Sequence, residues 1–599
     1  MRDLSSMAPT GSLRILATSD VHGHVLSHDY FSGVDTAGIG LEATAQLIKQ
    51  ARSEADASIL LDNGDFLQGG AISDVAVSLW QEGDASPNPI MTAMNTLKYD
   101  AVGLGNHEFN YGLSYLDAVV AQSKCPILCS NMRTIDGDVR FQPWTLIRRT
   151  VQFSDGSRQT VTVGVFSVLP PQTLKWDHAR LSGRVTIDDM LTAAKSTIKS
   201  LRVAKADVII ALAHTGLSTK PYSPFCENGA RALAALEGVD AVVFGHTHLQ
   251  FPNAGDPTQK LAKPAVQPGV WGRDLGVIDL TLAQEKSGQV TVSDSTATLR
   301  HTPSGGAPSI DKGLRKALVS IHQETARRMQ HPVSTLDKRL HSYFAALGPT
   351  ALSDVINAAQ IDAIRTVLPP SDLDGAHLIS ATCVSKVGGR NGSTYYTDVP
   401  DGPLTYSGLA DLYVFNNTIA AVEVNGAQLK SWVEDVSRIF ATLNADAPSQ
   451  TLLDPQYPAY DFDHFTDLDI KYDLSRPIGN GRLASLHFME KQVEDTDRFV
   501  VATNNYRATG GGDLTALKSA KSIFSAPITS RTILQEFLAT PPDYAALRTG
   551  QTTLSAAAGT RCIFSTGPNA QDVLTDLPFE TYRVSGLTPD GRLEIELTF

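Results

Sequence analysis

AVGLGNHEFNYG, residues 101–112, sets a short apolar run against a turn that carries an amide, an imidazole and a carboxylate between glycines. Four apolar residues in a row read as a buried strand, and Gly and Asn are ordinary turn residues. Taken by itself, the stretch is a plain strand-to-loop connection. The pattern recurs, however. LRILA (13–17), SILL (58–61), DVIIALA (207–213) and DAVVF (240–244) are equally short and apolar, and they run directly into TSDVHGH, DNGDFLQGG, HTG and GHTHLQ. Helix-like segments at 40–55 and 188–205 fall between these runs, which predicts an α/β layered core of buried strands and covering helices.

A chain of 599 residues is too long for one core, so two domains are expected. The break HTPSGGAPS (301–309) is followed by IDKGLRKALVSIHQETARRMQ (310–330), which reads as a connecting helix. The expected boundaries are 12–305, a linker over 306–340, and 341–599. In the second half, TIAAVEV (418–424) followed by NGAQLKSWVEDVSRIF (425–440) reads as strand, turn and helix.

The net charge of −13 argues against a broad basic face for extended nucleic acid but leaves small anionic substrates open. No apolar run approaches the roughly 20 residues of a membrane helix, so no membrane partner is expected. The five cysteines are scattered, with no CxxC pair, and read mostly as buried small residues. Cys125 and Cys129, flanking PIL, leave a short disulfide open. The first residues contain no apolar stretch of signal-peptide length, so the chain as written carries no export signal. Oligomeric state is open, a monomer being compatible.

The polar clusters suit one task. Five of the eight histidines before residue 301 fall in them: His22, His107, His214, His246 and His248. With Asp20, Asp65 and Asn106 they form an oxygen and nitrogen donor set without thiolates, which fits Mn, Zn, Fe or Ni. Two carboxylates against two divalent cations leave a net positive site suited to a phosphate ester.

In their order and spacing the clusters resemble those of the calcineurin-like metallophosphoesterases. The similarity extends over almost the whole chain to the two-domain 5′-nucleotidase family. It points within that family to the 2′,3′-cyclic-nucleotide 2′-phosphodiesterase/3′-nucleotidases, through NGDFLQGG, GNHEFNYGLSYL, GGRNGSTYYTDVP, ADLYVFNNT and VATNNYRATGG. The resemblance implies an N-terminal layered β-sandwich flanked by helices and a C-terminal α/β nucleotide-recognition domain. It implies that Asp20, His22 and His248 hold one divalent metal, that Asn106, His214 and His246 hold another, and that Asp65 bridges them. His107 would act on the phosphate, with Asn110 where 5′-nucleotidases carry an aspartate. Phe415 and Tyr506 would sandwich the base, Arg390 and Asn417 would touch substrate, and Asp513 sits one position from a ribose-binding aspartate. The implied substrates are small nucleotides and the implied role is nucleotide salvage. Relatives are commonly exported to the periplasm or cell wall, against the missing signal. A 5′-nucleotidase, a nucleotide-sugar hydrolase, a thiosulfohydrolase or a non-catalytic nucleotide-binding surface protein are the other readings.

Overall fold

In a computed structural model of the chain, the five apolar runs are the strands Thr10–Thr18, Ser58–Asp62, Ala101–Gly103, Val208–Ala213 and Ala241–Phe244. The structure describes residues 8–218, 220–253, 260–285, 288–303, 305–415, 417–447, 449–512 and 514–599, excepting the side chains of 390 and 525–527. Two compact units divide the chain, Met1–Arg328 and Met329–Phe599.

Two six-stranded sheets build the first unit. One has the order Val290–His301, Asp274–Gln284, Thr10–Thr18, Ser58–Asp62, Ala101–Gly103 and Ile127–Leu128. The other has the order Gln250–Phe251, Ala265–Pro268, Ala241–Phe244, Val208–Ala213, Arg158–Val168 and Trp144–Gln152. Thr10–Thr18, Ser58–Asp62 and Ala101–Gly103 are parallel neighbours, as are Val208–Ala213 and Ala241–Phe244. Parallel strands end on the same side, so the loops that follow them collect at one edge.

The strand 208–213 explains why these runs are apolar without alternation. Val208, Ile210 and Leu212 join Leu13, Ile15, Ile59, Leu61 and Ala101 in the layer between the sheets. Ile209, Ala211 and Ala213 face the other way, onto Met190, Ala194, Ile198 and Leu201 from the helix Met190–Val203. Both faces of the strand are therefore covered, and each aliphatic side chain so buried contributes roughly 1.5–3 kcal/mol.

Within 306–340 lie two helices, Lys312–Ala317 and Val319–Met329, parted at Leu318, and then the strand Pro332–Leu336. Asp311 caps the first helix by accepting from the Gly313 and Leu314 amides, and Arg315 clasps the buried carboxylate of Glu42 at 2.8 Å. Cys125 and Cys129 do not pair, and all five cysteines are free thiols. Their sulfurs turn to different partners, Cys125 to Ser123 Oγ and Cys129 to Asn131 Oδ1. Among the described residues no helix is long and apolar enough to cross a membrane.

In the second unit a five-stranded sheet runs Asp463–Phe465, His377–Cys383, Arg498–Asn504, Thr418–Asn425 and Lys521–Thr529. The helix Gly426–Val436 starts on a capping box in which Asn425 and Gln428 satisfy one another's backbone amides. Its Leu429, Trp432, Val433 and Val436 pack on Val422, Val424, Phe499 and Val501, while Ile419, Ala421, Val500 and Ala502 face Ile364 and Ile533 on the other side.

Candidate metal centre

Every donor expected in the first unit lies just past the end of one of its strands, and the backbone there is unusual. Asp20, His22, Asp65, His246 and His248 all have positive φ, from 47° to 73°. Such left-handed conformations cost a side-chain-bearing residue on the order of 1 kcal/mol each. Their concentration at the polar side chains turns these groups back toward one another. Two glycines make room. A Cβ at Gly105 would lie 2.3 Å from Asp65 Oδ1 and 2.6 Å from His214 Cε1, and one at Gly245 would lie 2.5 Å from Asp20 Oδ2.

The donors form two groups, Asp20 with His22 and His248, and Asp65 with His214 and His246, the donor atoms of each lying within 4.8 Å of one another. Asp65 Oδ2 is 2.9 Å from His214 Nε2 and 3.9 Å from His22 Nε2, so it faces both groups. Asn106 Oδ1 lies 3.0 Å from His246 Nδ1.

Outer contacts fix which nitrogen of three of these rings is left to turn inward. His22 Nδ1 donates to the Gln68 carbonyl, His214 Nδ1 to the Asn63 carbonyl, and His246 Nε2 to the Glu227 carboxylate. The lone pair left on His246 Nδ1 then meets an acceptor, Asn106 Oδ1, and that on His22 Nε2 lies 3.0 Å from His248 Nε2. His214 Nε2 and Asp65 Oδ2, 2.9 Å apart, are both buried and meet no further hydrogen-bond partner. Opposed acceptors repel unless a cation lies between them, so the donor set fits divalent metal.

The electrostatics agree. Burial, followed by the neighbouring His248, pushes His22 well below the usual imidazole value, and burial lowers His248 as well. Both are then neutral, the form that ligates metal. Burial opposes charge on both His214 and Asp65, yet Asp65 lifts His214 to about 10, and His214, ahead of His107 and His22, holds Asp65 well below the carboxylate range. That pair requires one positive charge.

His107 is held at the edge of this cluster. Its amide donates to Asp65 Oδ1 at 2.7 Å, its ring stands edge-on to His22 at 5.1 Å, and its Nδ1 lies 2.6 Å from Asn110 Oδ1. Four residues to which sequence reasoning gave no role complete the surroundings. Glu108, fully buried, accepts from the amides of Gly105, Asp65, Phe66 and Leu67, binding the GNHEF turn to the DNGDF turn. Burial, with Asp65 beside it, pushes this carboxyl up to about 7 against those four amides. Glu227 orients His246, Trp176 stacks on the His246 ring at 5.5 Å, and Asp177 accepts from the Asn110 amide. Glu108 had a signal, a carboxylate inside an already polar turn, but 170–181 and 227 carry none.

The remaining candidates belong to the second unit. Phe415 precedes the strand Thr418–Asn425 and Tyr506 follows Arg498–Asn504; the two strands pair antiparallel with Ile419 opposite Asn504, so both aromatics emerge at one end of the pair. They are 41% and 38% exposed, high values for aromatic side chains. The Asn417 carbonyl accepts from the Ser530 amide. Arg390 lies in the turn Gly389–Asn391, its side chain outside the described atoms, and Asp513 lies outside the described residues. Behind Tyr506, the fully buried Arg507 binds Asp463 at 2.9 Å and the carbonyls of Gly511 and Tyr460.

Residues 13–250 match the calcineurin-like phosphoesterase family and residues 332–519 the 5′-nucleotidase C-terminal domain. The chain is 34% identical over 559 residues, 89% of its length, to the trifunctional nucleotide phosphoesterase YfkN of Bacillus subtilis, of which it spans 38%. It is 33% identical over 564 residues to a 2′,3′-cyclic-nucleotide 2′-phosphodiesterase/3′-nucleotidase of Haemophilus influenzae, covering 88% of this chain and 84% of that one. Its fold matches the crystal structure of a 5′-nucleotidase of Staphylococcus aureus described as putative, with a TM-score of 0.72 at 21% identity over 91% of this chain and 99% of that one. Two matched domains in this order, two donor groups at the strand ends and a relative at this identity covered over most of its length make the chain a member of the two-domain 5′-nucleotidase family of metallophosphoesterases.

Proposed function

We propose that this chain opens 2′,3′-cyclic nucleotides to 3′-nucleotides and then removes the 3′-phosphate to leave nucleosides, as a step of nucleotide salvage, at a centre of two divalent metals. The observation that carries the reading is the pair of donor groups with Asp65 facing both and His107 tethered to Asp65. Asp20, His22 and His248 would hold one metal and Asn106, His214 and His246 the other. When bound, the metals supply Lewis acidity toward a phosphoryl oxygen. His107 stabilises the charge that develops on the phosphate or protonates the leaving ribose oxygen. Asn110 accepts from its Nδ1, as the 2.6 Å contact supports. In the second unit, Phe415 and Tyr506 offer exposed faces on which a base stacks, with Asn417 and Arg390 as further contacts to substrate.

A substrate panel tests the reading: 2′,3′-cAMP, 3′-AMP, 5′-AMP and bis(p-nitrophenyl) phosphate, each with added manganese. Efficient turnover of all but 5′-AMP is expected. Preferential hydrolysis of 5′-AMP would replace it with a 5′-nucleotidase.

A further inference from the structure

Asn110 meets His107 through a side chain that has an acceptor end and a donor end of the same shape. Placed against an imidazole, such an amide can point either end at the ring, and the two choices select different ring tautomers. Asp177 removes the ambiguity. Its carboxylate oxygens, acceptors both, lie 3.1 and 3.0 Å from Asn110 Nδ2. The donor end of the amide must therefore face Asp177 and the acceptor end must face His107 Nδ1, 2.6 Å away.

The segment that carries Asp177 is built to hold it there. Asp177 joins the short helices Thr173–Trp176 and His178–Leu181, is 7% exposed, and makes no side-chain cap to the helix that follows. Its backbone secures the junction: its amide donates to the Thr173 carbonyl, and its carbonyl accepts from the Arg180 and Leu181 amides. The carboxylate is thus left for Asn110. The preceding residue, Trp176, lies against the His246 ring with an interplanar angle of 22°, so one segment touches both a candidate metal donor and the residues behind His107.

We propose that Asp177 is a positioning residue of the reaction: by orienting the Asn110 amide it keeps a proton on His107 Nδ1, so that the proton the imidazolium gives to the leaving oxygen is the one on Nε2, and the ring is left neutral as the Nδ1–H tautomer. The chain thus sets a carboxylate one residue further from the histidine, with an amide between. The proposal rests on the reading of His107 as acting on the phosphate ester.

The test uses the full-length, metal-loaded protein with 2′,3′-cAMP. Asp177→Ala frees the amide to rotate and is expected to lower kcat about tenfold, a typical loss for an orienting partner, with KM and metal content unchanged. Adding Asn110→Asp to that variant is expected to restore most of the turnover, because a carboxylate has no donor end and accepts from Nδ1 in either orientation. Asn110→Asp alone sets two carboxylates in contact and is expected to be slower than the double variant. The exchange Asn110→Asp with Asp177→Asn keeps both side-chain volumes, an acceptor toward His107 Nδ1 and a donor between the two side chains, and is expected to be several-fold faster than Asn110→Asp alone even if Asp177→Ala folds poorly. Wild-type kcat in Asp177→Ala, or an exchanged pair no faster than Asn110→Asp alone, would overturn the proposal. His107→Ala separates the two readings. Wild-type turnover there removes His107 from the chemistry, whereas a slow His107→Ala beside a fast Asp177→Ala removes Asp177 alone.

Discussion

Asp20 and Asp65 in the first unit and Asp461 and Asp463 in the second are all buried carboxylates, yet they are neutralised in different ways. In the second unit the cation belongs to the chain. Arg507 binds Asp463 at 2.9 Å and reaches Asp461 at 3.5 Å, Arg438 binds Asp461 at 3.0 Å, and the Trp432 indole donates to the far oxygen of Asp463 at 2.8 Å. In the first unit the carboxylates are surrounded by imidazoles whose other nitrogens are already committed, so the remaining nitrogens of His22, His214 and His246 all turn toward the acids and one another. A cluster that contains its guanidinium is a fixed part of the fold. One built from imidazoles and carboxylates turned toward one another, with no guanidinium among them, fits a divalent ion from solution. The five left-handed donors carry the cost of that arrangement in the backbone.

The contrast breaks most visibly at Asp65. Asp65→Asn replaces the carboxylate that faces both donor groups with a neutral amide, and loss of bound metal and of nearly all hydrolysis is expected, read by elemental analysis and by turnover of 2′,3′-cAMP. Chelation of the wild-type protein should reproduce this, with faster amide exchange in the loops after the first unit's strands and unchanged protection around Asp461 and Arg507. Wild-type metal content in Asp65→Asn would end the comparison.

Arg507→Met probes the opposite case. It strands Asp463 without its guanidinium, and a destabilisation of about 3–5 kcal/mol is expected, the usual cost of breaking a buried pair from one side. Added manganese should restore nothing. A variant as stable as wild type would mean that Arg438 alone neutralises both acids.

A smaller effect is expected from Phe415→Ala combined with Tyr506→Ala. Stacking contributes roughly 1–3 kcal/mol per base, so kcat/KM for 2′,3′-cAMP should fall strongly while that for bis(p-nitrophenyl) phosphate, which has no base, falls little. Equal losses on both substrates would argue for damage to the fold instead of loss of a base clamp.

The effect expected to be smallest at neutral pH is a pH slope in the second unit. His464, 2% exposed with Nδ1 unpartnered, is pushed down to about 3 by burial. Folded, it stays neutral; unfolded, it takes up a proton below its ordinary value of about 6.5. Its contribution to stability is therefore complete above that pH and is lost on acidification toward 3, at up to about 1.4 kcal/mol per pH unit. His464→Leu should flatten the acid limb of a denaturant-midpoint profile. An unchanged limb would assign the slope to other groups.

Much of the first unit was legible in the linear sequence because its signals are local. A strand buried on both faces needs an unbroken apolar run, and a ligand at a strand end needs a polar side chain within a few residues of that run. All five runs are strands, and their clusters hold the donors that the structure gathers. The break at Leu318 was not legible, since no Gly or Pro marks it and the backbone departs from helical values there, φ −109° and ψ 6°. Nor was the missing bridge between Cys125 and Cys129, which depends on where each thiol points.

By itself the sequence determined which residue types were available: oxygen and nitrogen donors without thiolates, in five clusters, and Asn110 at the position where the 5′-nucleotidases it resembles carry an aspartate. Tertiary structure decided what those residues do to one another. Asn110 and Asp177 are 67 positions apart, His246 and Glu227 are 19 apart, and Arg507 and Asp463 are 44 apart, and no local pattern links the members of any pair. The physical reason is range. Burial on a strand or helix is set by neighbours a few residues away, whereas a hydrogen bond that selects a tautomer, or an ion pair that neutralises a buried acid, forms between side chains on separate loops, and only the folded sheets bring those loops together.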